Sequence, residues 1–323
     1  MWAAQRMTGD SEALEVSINC IEEPEAHLHP HQQRRLSGYL IHKLGGQVIL
    51  TSHSPQIACE FSKNSIINLF NNNPDSKAAQ DGCSDQIENA LIKFGHRLNI
   101  IPAEGFFSSV VLLVEGVSEK LFYKALSTSM GIDLDKLNIS IVCVEGVGFE
   151  IFKDVFQTIG IPTVIRTDLD VFKIPRKNKY RVAGIQRIMH ICDKYYENEK
   201  KIQLAIERLE PLISEMNTKE IDDQTEKLIS SFKDLIRPLM LFVSEKDLEL
   251  DLINSPILPE LQKFYDEKDT NKLYEIMTES KGTNMFSFLS EAVTSLKKLN
   301  GHKIMDPLLS AKHVAEQLYV KAN

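Results

Sequence analysis

Little in this sequence points to a membrane or to an oxidising compartment. Nowhere in its 323 residues does an apolar run approach the roughly 18 residues of a bilayer span, so no membrane partner is expected. The start, MWAAQRMTGDSE, lacks the apolar core of a signal peptide. The five cysteines (Cys20, Cys59, Cys83, Cys143 and Cys192) are scattered, odd in number and form no CxxC pair. Neither a disulfide framework nor a zinc ribbon is expected, and a cytoplasmic location follows as the default. Surplus positive charge is missing too. A net charge of −8 excludes a generic basic nucleic-acid coat, though not a local basic groove beside acids. A phosphate-cradling GxxxxGK[ST] loop occurs nowhere, and the glycine-rich GVGFE at 146–150 lacks its lysine.

What remains is ordinary globular composition, 43% hydrophobic and 25% charged, enough for one large or two medium domains. Two zones punctuate the chain: NNNPDSKAAQDGCSDQI at 71–87, polar and turn-rich, and the basic IPRKNKYR at 174–181. We divide the chain near residue 100, into residues 1–100 and 101–323. The first part reads as a strand (Leu14–Ile21), a helix (about Pro30–Leu44), a second strand (Gln47–Leu50), a turn at Thr51–Pro55 and a short apolar stretch at Ile66–Phe70. The second reads as strands at Val110–Gly116, Ile139–Gly146, Pro162–Asp170 and Leu239–Val243 with helices between them. Short, wholly apolar strands separated by helices imply a parallel sheet in an α/β fold. Residues of about 183–240 carry apolar positions at threes and fours and are expected as a helical insertion.

Acids close these strands. Val110–Val114 runs into Glu115, with Gly116 allowing close backbone approach and Glu119 one helical turn on. Thr163–Thr167 runs into Asp168-Leu169-Asp170. In an extended strand residues two apart share a side, so both aspartates are expected to point at one ion. Ligands of open parallel sheets bind beyond the carboxyl ends of the strands. Carboxylates gathered there repel one another unless a cation separates them, and hard oxygen ligands suit Mg²⁺ or Mn²⁺. Two such ions about 4 Å apart can cleave a phosphodiester. Taken singly, each acid could equally cap a helix N-terminus.

LVEGVSEKLF at 113–122, followed by a strand and then by TDLD at 167–170, resembles a Toprim domain, the fold shared by topoisomerases, primases and a group of nucleases. The resemblance assigns metal binding to Glu115, Asp168 and Asp170, and Glu119 matches the nuclease branch.

The stretch INCIEEPEAHLHPHQQ at 18–33 has the form of a strand ending in two acids, as in the Walker B region of an ABC-type ATPase. Glu22 stands where the magnesium-coordinating acid sits, and Glu23 where the acid that polarises the attacking water sits. About thirty residues on, ILTSHSP places His53 at the switch histidine. EEPEAHLHP with TSHSP is the form of the OLD (overcoming lysogenization defect) family and related ATPases. AAQRM at 3–7 resembles the tail of a signature helix, so the chain is expected to begin inside an ATPase head whose N-terminal half is absent. The rival reading, a zinc cage on His27, His29 and His31, is interrupted by Pro30 and lacks a fourth ligand; these histidines are expected at a helix start and a subunit interface.

Further similarity lies in LELDL, which offers Glu249 or Asp251 as another metal ligand, and in Lys281-Gly282, which matches a KGK-like motif except at Thr283. The lysine would neutralise charge on a phosphorane. Lys173, Arg176, Lys177, Lys179 and Arg181 follow Asp-x-Asp closely and are expected to meet a DNA backbone. Together these features resemble OLD-family nucleases of the Gabija and retron types. The resemblance implies a Mg²⁺- or Mn²⁺-dependent DNA endonuclease or nickase of anti-phage defence. It further implies homo-oligomers, a helicase-like or retron nucleic-acid partner, and ATP use only by a complete ATPase. A Toprim ribonuclease and a non-catalytic binding subunit are the alternatives.

Overall fold

The computed structural model describes residues 17–61, 65–67, 69–72, 75–78, 103–145 and 148–322. AAQRM, the start of the first expected strand, residues 79–87 of the polar connection and Gly146-Val147 lie outside the described residues.

In the first part, β1 (Ile18–Glu22) pairs in parallel with β2 (Gln47–Thr51), in register from Ile18↔Gln47 to Glu22↔Thr51. Helix α1 (Pro30–His42) joins them. Proline occupies its first turn, where an N–H would be unsatisfied anyway, and the backbone N–H of His29 donates to the Gln32 side chain at 3.0 Å. Helix α2 (Pro55–Glu60) starts at Ser54, whose hydroxyl accepts from the Ile57 N–H at 3.2 Å. The chain next forms an antiparallel hairpin of β3 (Leu69–Asn72) and β4 (Asp75–Ala78). Strand structure therefore extends into the start of the expected polar connection.

The second part is built on a four-stranded sheet, in the order β10 (Leu241–Val243), β7 (Thr163–Thr167), β5 (Val110–Val114), β6 (Ile139–Cys143), with every pairing parallel. Both faces are covered, which is why β5 reads as an unbroken apolar run. Val111 and Leu113 of β5 face a cluster containing Phe152, Phe156, Ile185 and Phe232. Val110, Leu112 and Val114 face another containing Phe122, Leu126, Leu252 and Phe288. Each such side chain contributes about 1.5–3 kcal/mol on leaving water.

Helices α3 (Val117–Ser129) and α4 (Phe149–Thr158) follow β5 and β6. Between β7 and β10 lie a hairpin of β8 (Val171–Lys173) and β9 (Tyr180–Val182), then α5 (Ala183–Tyr195), α6 (Lys200–Ile213) and α7 (Asp223–Ile236). Their apolar spacing buries Ile202, Ile206, Leu209 and Ile213 of α6 and Ile229, Phe232 and Ile236 of α7. The basic stretch at 174–181, which punctuates the sequence, is largely the turn and second strand of an ordered hairpin. Strand β10 starts two residues later than expected, because Arg237–Leu239 form a 3₁₀ turn and Met240 takes a left-handed φ of 63°. Helices α8 (Leu248–Ile253), α9 (Leu258–Tyr265), α10 (Thr270–Glu279), α11 (Lys281–Ala292) and α12 (Asp306–Ala322) complete the far face.

Candidate functional site

The carboxyl ends of β5 and β7 place Glu115 and Asp168 side by side. One Glu115 oxygen, Oε1, accepts from the Thr167 hydroxyl at 2.6 Å and from the Asp168 N–H at 3.0 Å. The Arg187 guanidinium, from α5, bonds the same oxygen and also reaches Asp170. Glu115 and Asp170 are therefore bridged by an arginine.

The strand-alternation expectation for Asp168 and Asp170 is corrected here. Strand β7 stops at Thr167, and Asp170 adopts a left-handed φ of 48°, so a turn sets their directions. Asp168 sits beside Arg166 at 2.9 Å and accepts from the Ser244 hydroxyl at 3.2 Å. The turn is clamped by backbone bonds to the start of α5: Ala183 N–H to Asp170 C=O at 2.7 Å and Gly184 N–H to Leu169 C=O at 2.9 Å. A Cβ on Gly184 would lie 1.9 Å from the Asp168 carbonyl oxygen, so glycine alone permits this approach.

Arg166 is 2% exposed and holds three acids. Besides Asp168, it meets Glu119 at 3.3 Å and Asp251 at 3.1 Å. Glu119 also accepts from the Gly116 N–H at 3.2 Å. LELDL is helical, and residues two apart on a helix diverge by about 200°. Asp251 accordingly joins Arg166, while Glu249 turns to the Ser118 hydroxyl at 3.0 Å and to Lys281 at 2.8 Å. Lys281, the first residue of α11, also meets Asp247 at 3.2 Å. Asp247 caps α8 through the Leu250 N–H at 3.0 Å and accepts from the Tyr274 hydroxyl at 2.6 Å.

The electrostatics follow from burial. It pushes the Asp168 carboxyl up to about 8 against the pull of Arg166, with Glu119 and Glu115 adding to the rise. It also raises Glu119 and Asp251, each against Arg166, and Asp170, with Glu115 adding. Asp247 is lowered instead: burial opposes ionisation there, but hydrogen bonds from Tyr274 and the Leu250 N–H and the charge of Lys281 outweigh it. Burial works against the charge on Lys281, but Glu249, Asp247 and Asp168 raise its pKa and keep it an ammonium.

The acids were expected to converge directly on shared ions. Among the described residues, no three acidic, histidine or cysteine side chains form a closed cage; Arg166, Arg187 and Lys281 stand between them. A buried anion needs a partner, and these side chains supply one. The donor set nonetheless fits a hard divalent cation. All its ligands are carboxylate oxygens, and anionic groups outnumber the three cations. Glu115, Asp168, Asp170 and Glu119 would hold it.

Beside these acids opens a cavity of about 900 Å³, lined by Asp168, Asp170, Phe172, Asp247 and Lys281 among others. On the hairpin at its rim, Lys173, Arg176 and Arg181 are exposed and Lys179 is half-buried, whereas Lys177 is engaged by Glu215 at 2.5 Å.

In the first part, Glu22 ends β1, and Glu23, with a φ of 38°, meets His53 at 3.2 Å. Glu25 carries no assigned role in the sequence reading, yet it holds the TSHSP turn. It accepts from the Ser52 hydroxyl at 2.6 Å and from the His53 N–H at 2.7 Å. His27, His29 and His31 are exposed at the start of α1, where the rings of His29 and His31 stack at 6.0 Å.

Sequence reasoning missed Arg166, Arg187, Asp247, Ser118 and Ser244. A charge inside the apolar run VIRT was a legible sign of Arg166. Nothing marks Arg187, which sits in an ordinary amphipathic helix.

Residues 106–170 match the family described as "Overcoming lysogenization defect protein-like, TOPRIM domain". Residues 8–60 match "AAA domain, putative AbiEii toxin, Type IV TA system". An "Endonuclease GajA" of Bacillus cereus is 23% identical over 79% of this chain and 43% of its own length. An "OLD nuclease" of Thermus scotoductus is 29% identical over 49% of this chain and 31% of its own. The chain thus spans well under half the length of these curated relatives. The solved C-terminal region of a Xanthomonas campestris OLD protein matches at 19% identity and a TM-score of 0.37, over 68% of this chain and 97% of that one. The similarity to OLD-family nucleases and the α/β fold with ATPase-like and Toprim parts are borne out. Glu249, Asp251 and Lys281 lie beyond the stretch matched to the Toprim family. Among the described residues, no helix is long and apolar enough to cross a membrane.

Proposed function

We propose that this chain is a metal-dependent DNA endonuclease or nickase of the OLD type, using Mg²⁺ or Mn²⁺ in anti-phage defence. The observation that carries the reading is the junction of Glu115, Asp168 and Asp170 at two adjacent strand ends, the two aspartates sharing a cavity with Lys281. Divalent cations bound by these acids, with Glu119 and either Glu249 or Asp251 contributing, would activate water and offset charge on the leaving oxygen.

The chain's own residues do the rest. The Thr167 hydroxyl and the Asp168 N–H hold the Glu115 carboxylate at the strand end, and Arg187, which bridges it to Asp170, moves aside for an ion between the two. Lys281, held as an ammonium by Glu249 and Asp247, donates to a non-bridging phosphate oxygen as charge builds there. Hairpin cations Lys173, Arg176, Lys179 and Arg181 hold the flanking backbone. Glu22, Glu23 and His53 serve a nucleotide site completed in an oligomer, with a helicase-like or retron nucleic-acid partner supplying the trigger.

Incubation of supercoiled plasmid with Mg²⁺ or Mn²⁺ tests the reading. The chain is expected to nick or linearise it, and Glu115→Ala and Lys281→Ala to abolish cleavage. Cleavage retained in both variants would exclude this site; degradation of RNA in preference to DNA would favour a Toprim ribonuclease.

A further inference from the structure

A large aromatic side chain stands exposed beside the acids. Phe172, on β8, is two residues beyond Asp170 and 51% exposed, yet it lines the cavity that also contains Asp168, Asp170 and Lys281. Its direction follows from strand geometry. Phe172 is paired across the hairpin with Arg181, and Val171 with Val182. Directly opposed residues share a face, and neighbours along a strand alternate. Val182 is fully buried and Val171 half-buried, so that face packs on the core; Phe172 and Arg181 therefore share the outer face.

The hairpin holds this pair firmly. Its base is clamped by the Ala183–Asp170 and Gly184–Leu169 backbone bonds. Its second strand is bridged to the connection between α6 and α7, Tyr180 and Met216 exchanging backbone bonds of 2.8 and 2.7 Å. Among the described residues, neither Lys173 nor Arg181 has an acidic partner within 4 Å, whereas Lys177 does. An aromatic face and a cation are therefore presented side by side on a rigid arm, open to a ligand that is both planar and anionic.

We propose that this hairpin grips an unpaired nucleobase: Phe172 stacks on a base close to the phosphate held at the acid site, while Arg181 contacts the intervening backbone. This rests on the DNA-nuclease reading above and adds a substrate class to it. Two extended residues span ~7 Å, about the advance of two stacked nucleotides. Inside an intact duplex the faces of a base are covered by its neighbours, so a single strand, a gap or a frayed end is the form that satisfies Phe172. Every base has a π-face, so the grip carries no sequence preference.

Equilibrium binding with EDTA present, which stops turnover, tests the proposal. The probes are labelled oligonucleotides: a single DNA strand, the same sequence as a blunt duplex, and its RNA counterpart. Phe172→Ala is expected to weaken the single DNA strand by roughly 5- to 150-fold, the range of one base–aromatic stack, and to leave the duplex within about twofold. Phe172→Trp restores binding, and Arg181→Ala weakens both DNA forms and lowers the salt slope by about 1. An unchanged melting temperature shows that the exposed-site variants fold. Equal affinity of wild type and Phe172→Ala for the single strand, an equal loss on the duplex, or a Phe172-dependent preference for RNA would overturn the proposal and leave the acid site untouched. Failure of the wild type to bind any nucleic acid would sink the nuclease reading itself.

Discussion

Replacing Arg166 by methionine removes the one cation that Glu119, Asp168 and Asp251 share inside the fold. Breaking a buried ion pair from one side costs about 3–5 kcal/mol, because the charge left behind has lost its partner. In a unit of 150–250 residues each kcal/mol moves the melting temperature by about 2–4 °C, so a fall of roughly 6–20 °C is expected. The loss should depend on pH in a defined direction. The Asp168 carboxyl ionises at about 8 in the fold against 3.8 in the unfolded chain. Between those values the folded state binds the extra proton, so this group's contribution to stability falls as pH rises through that window. Arg166 lowers the pKa of Glu119, Asp168 and Asp251, so its removal raises all three further. For Asp168 the gap between variant and wild type should therefore open as pH rises through about 8, growing by up to about 1.4 kcal/mol per pH unit while that carboxyl keeps its proton in the variant alone. Thermal melts followed by circular dichroism at pH 7, 8 and 9 are the assay. A variant melting within 2 °C of wild type at pH 9, or a gap that closes with rising pH, would refute the role given to Arg166.

Other outcomes follow from the same geometry. Mn²⁺ at a hundredfold excess over its dissociation constant should add about 2.7 kcal/mol of stability, more at pH 8 than at pH 6 because Asp168 must give up its proton; EDTA or Asp170→Asn should remove the gain, read by differential scanning fluorimetry. Gly184→Ala drives a Cβ into the Asp168 carbonyl, so it should lower the melting temperature and abolish plasmid cleavage; wild-type behaviour would show that the turn yields freely. Lys281→Met should cut the single-turnover cleavage rate by roughly 10²–10³ with oligonucleotide affinity preserved; matching losses in both would make the lysine a binding group instead.

The acids at the ends of β5 and β7 were legible because short apolar runs capped by Glu115 and Asp168 leave few other folds open. Helices separate these strands, as expected. Less legible were the partners of those acids. Arg187 reaches Glu115 and Asp170 from 72 and 17 residues away, and no local pattern encodes such a contact. LELDL left Glu249 and Asp251 interchangeable until its helical geometry sent one to Lys281 and the other to Arg166. Asp168-Leu169-Asp170 read as strand, but the backbone bonds from Ala183 and Gly184 turned it.

By itself, the sequence determined the parallel α/β architecture and the presence of carboxylates at its ligand-binding edge, since apolar periodicity and strand-end chemistry are local properties. Only the tertiary structure decided how that charge is balanced. Burial makes an unpaired carboxylate so unfavourable that the nearest cation in space, wherever it stands in the chain, becomes its neighbour.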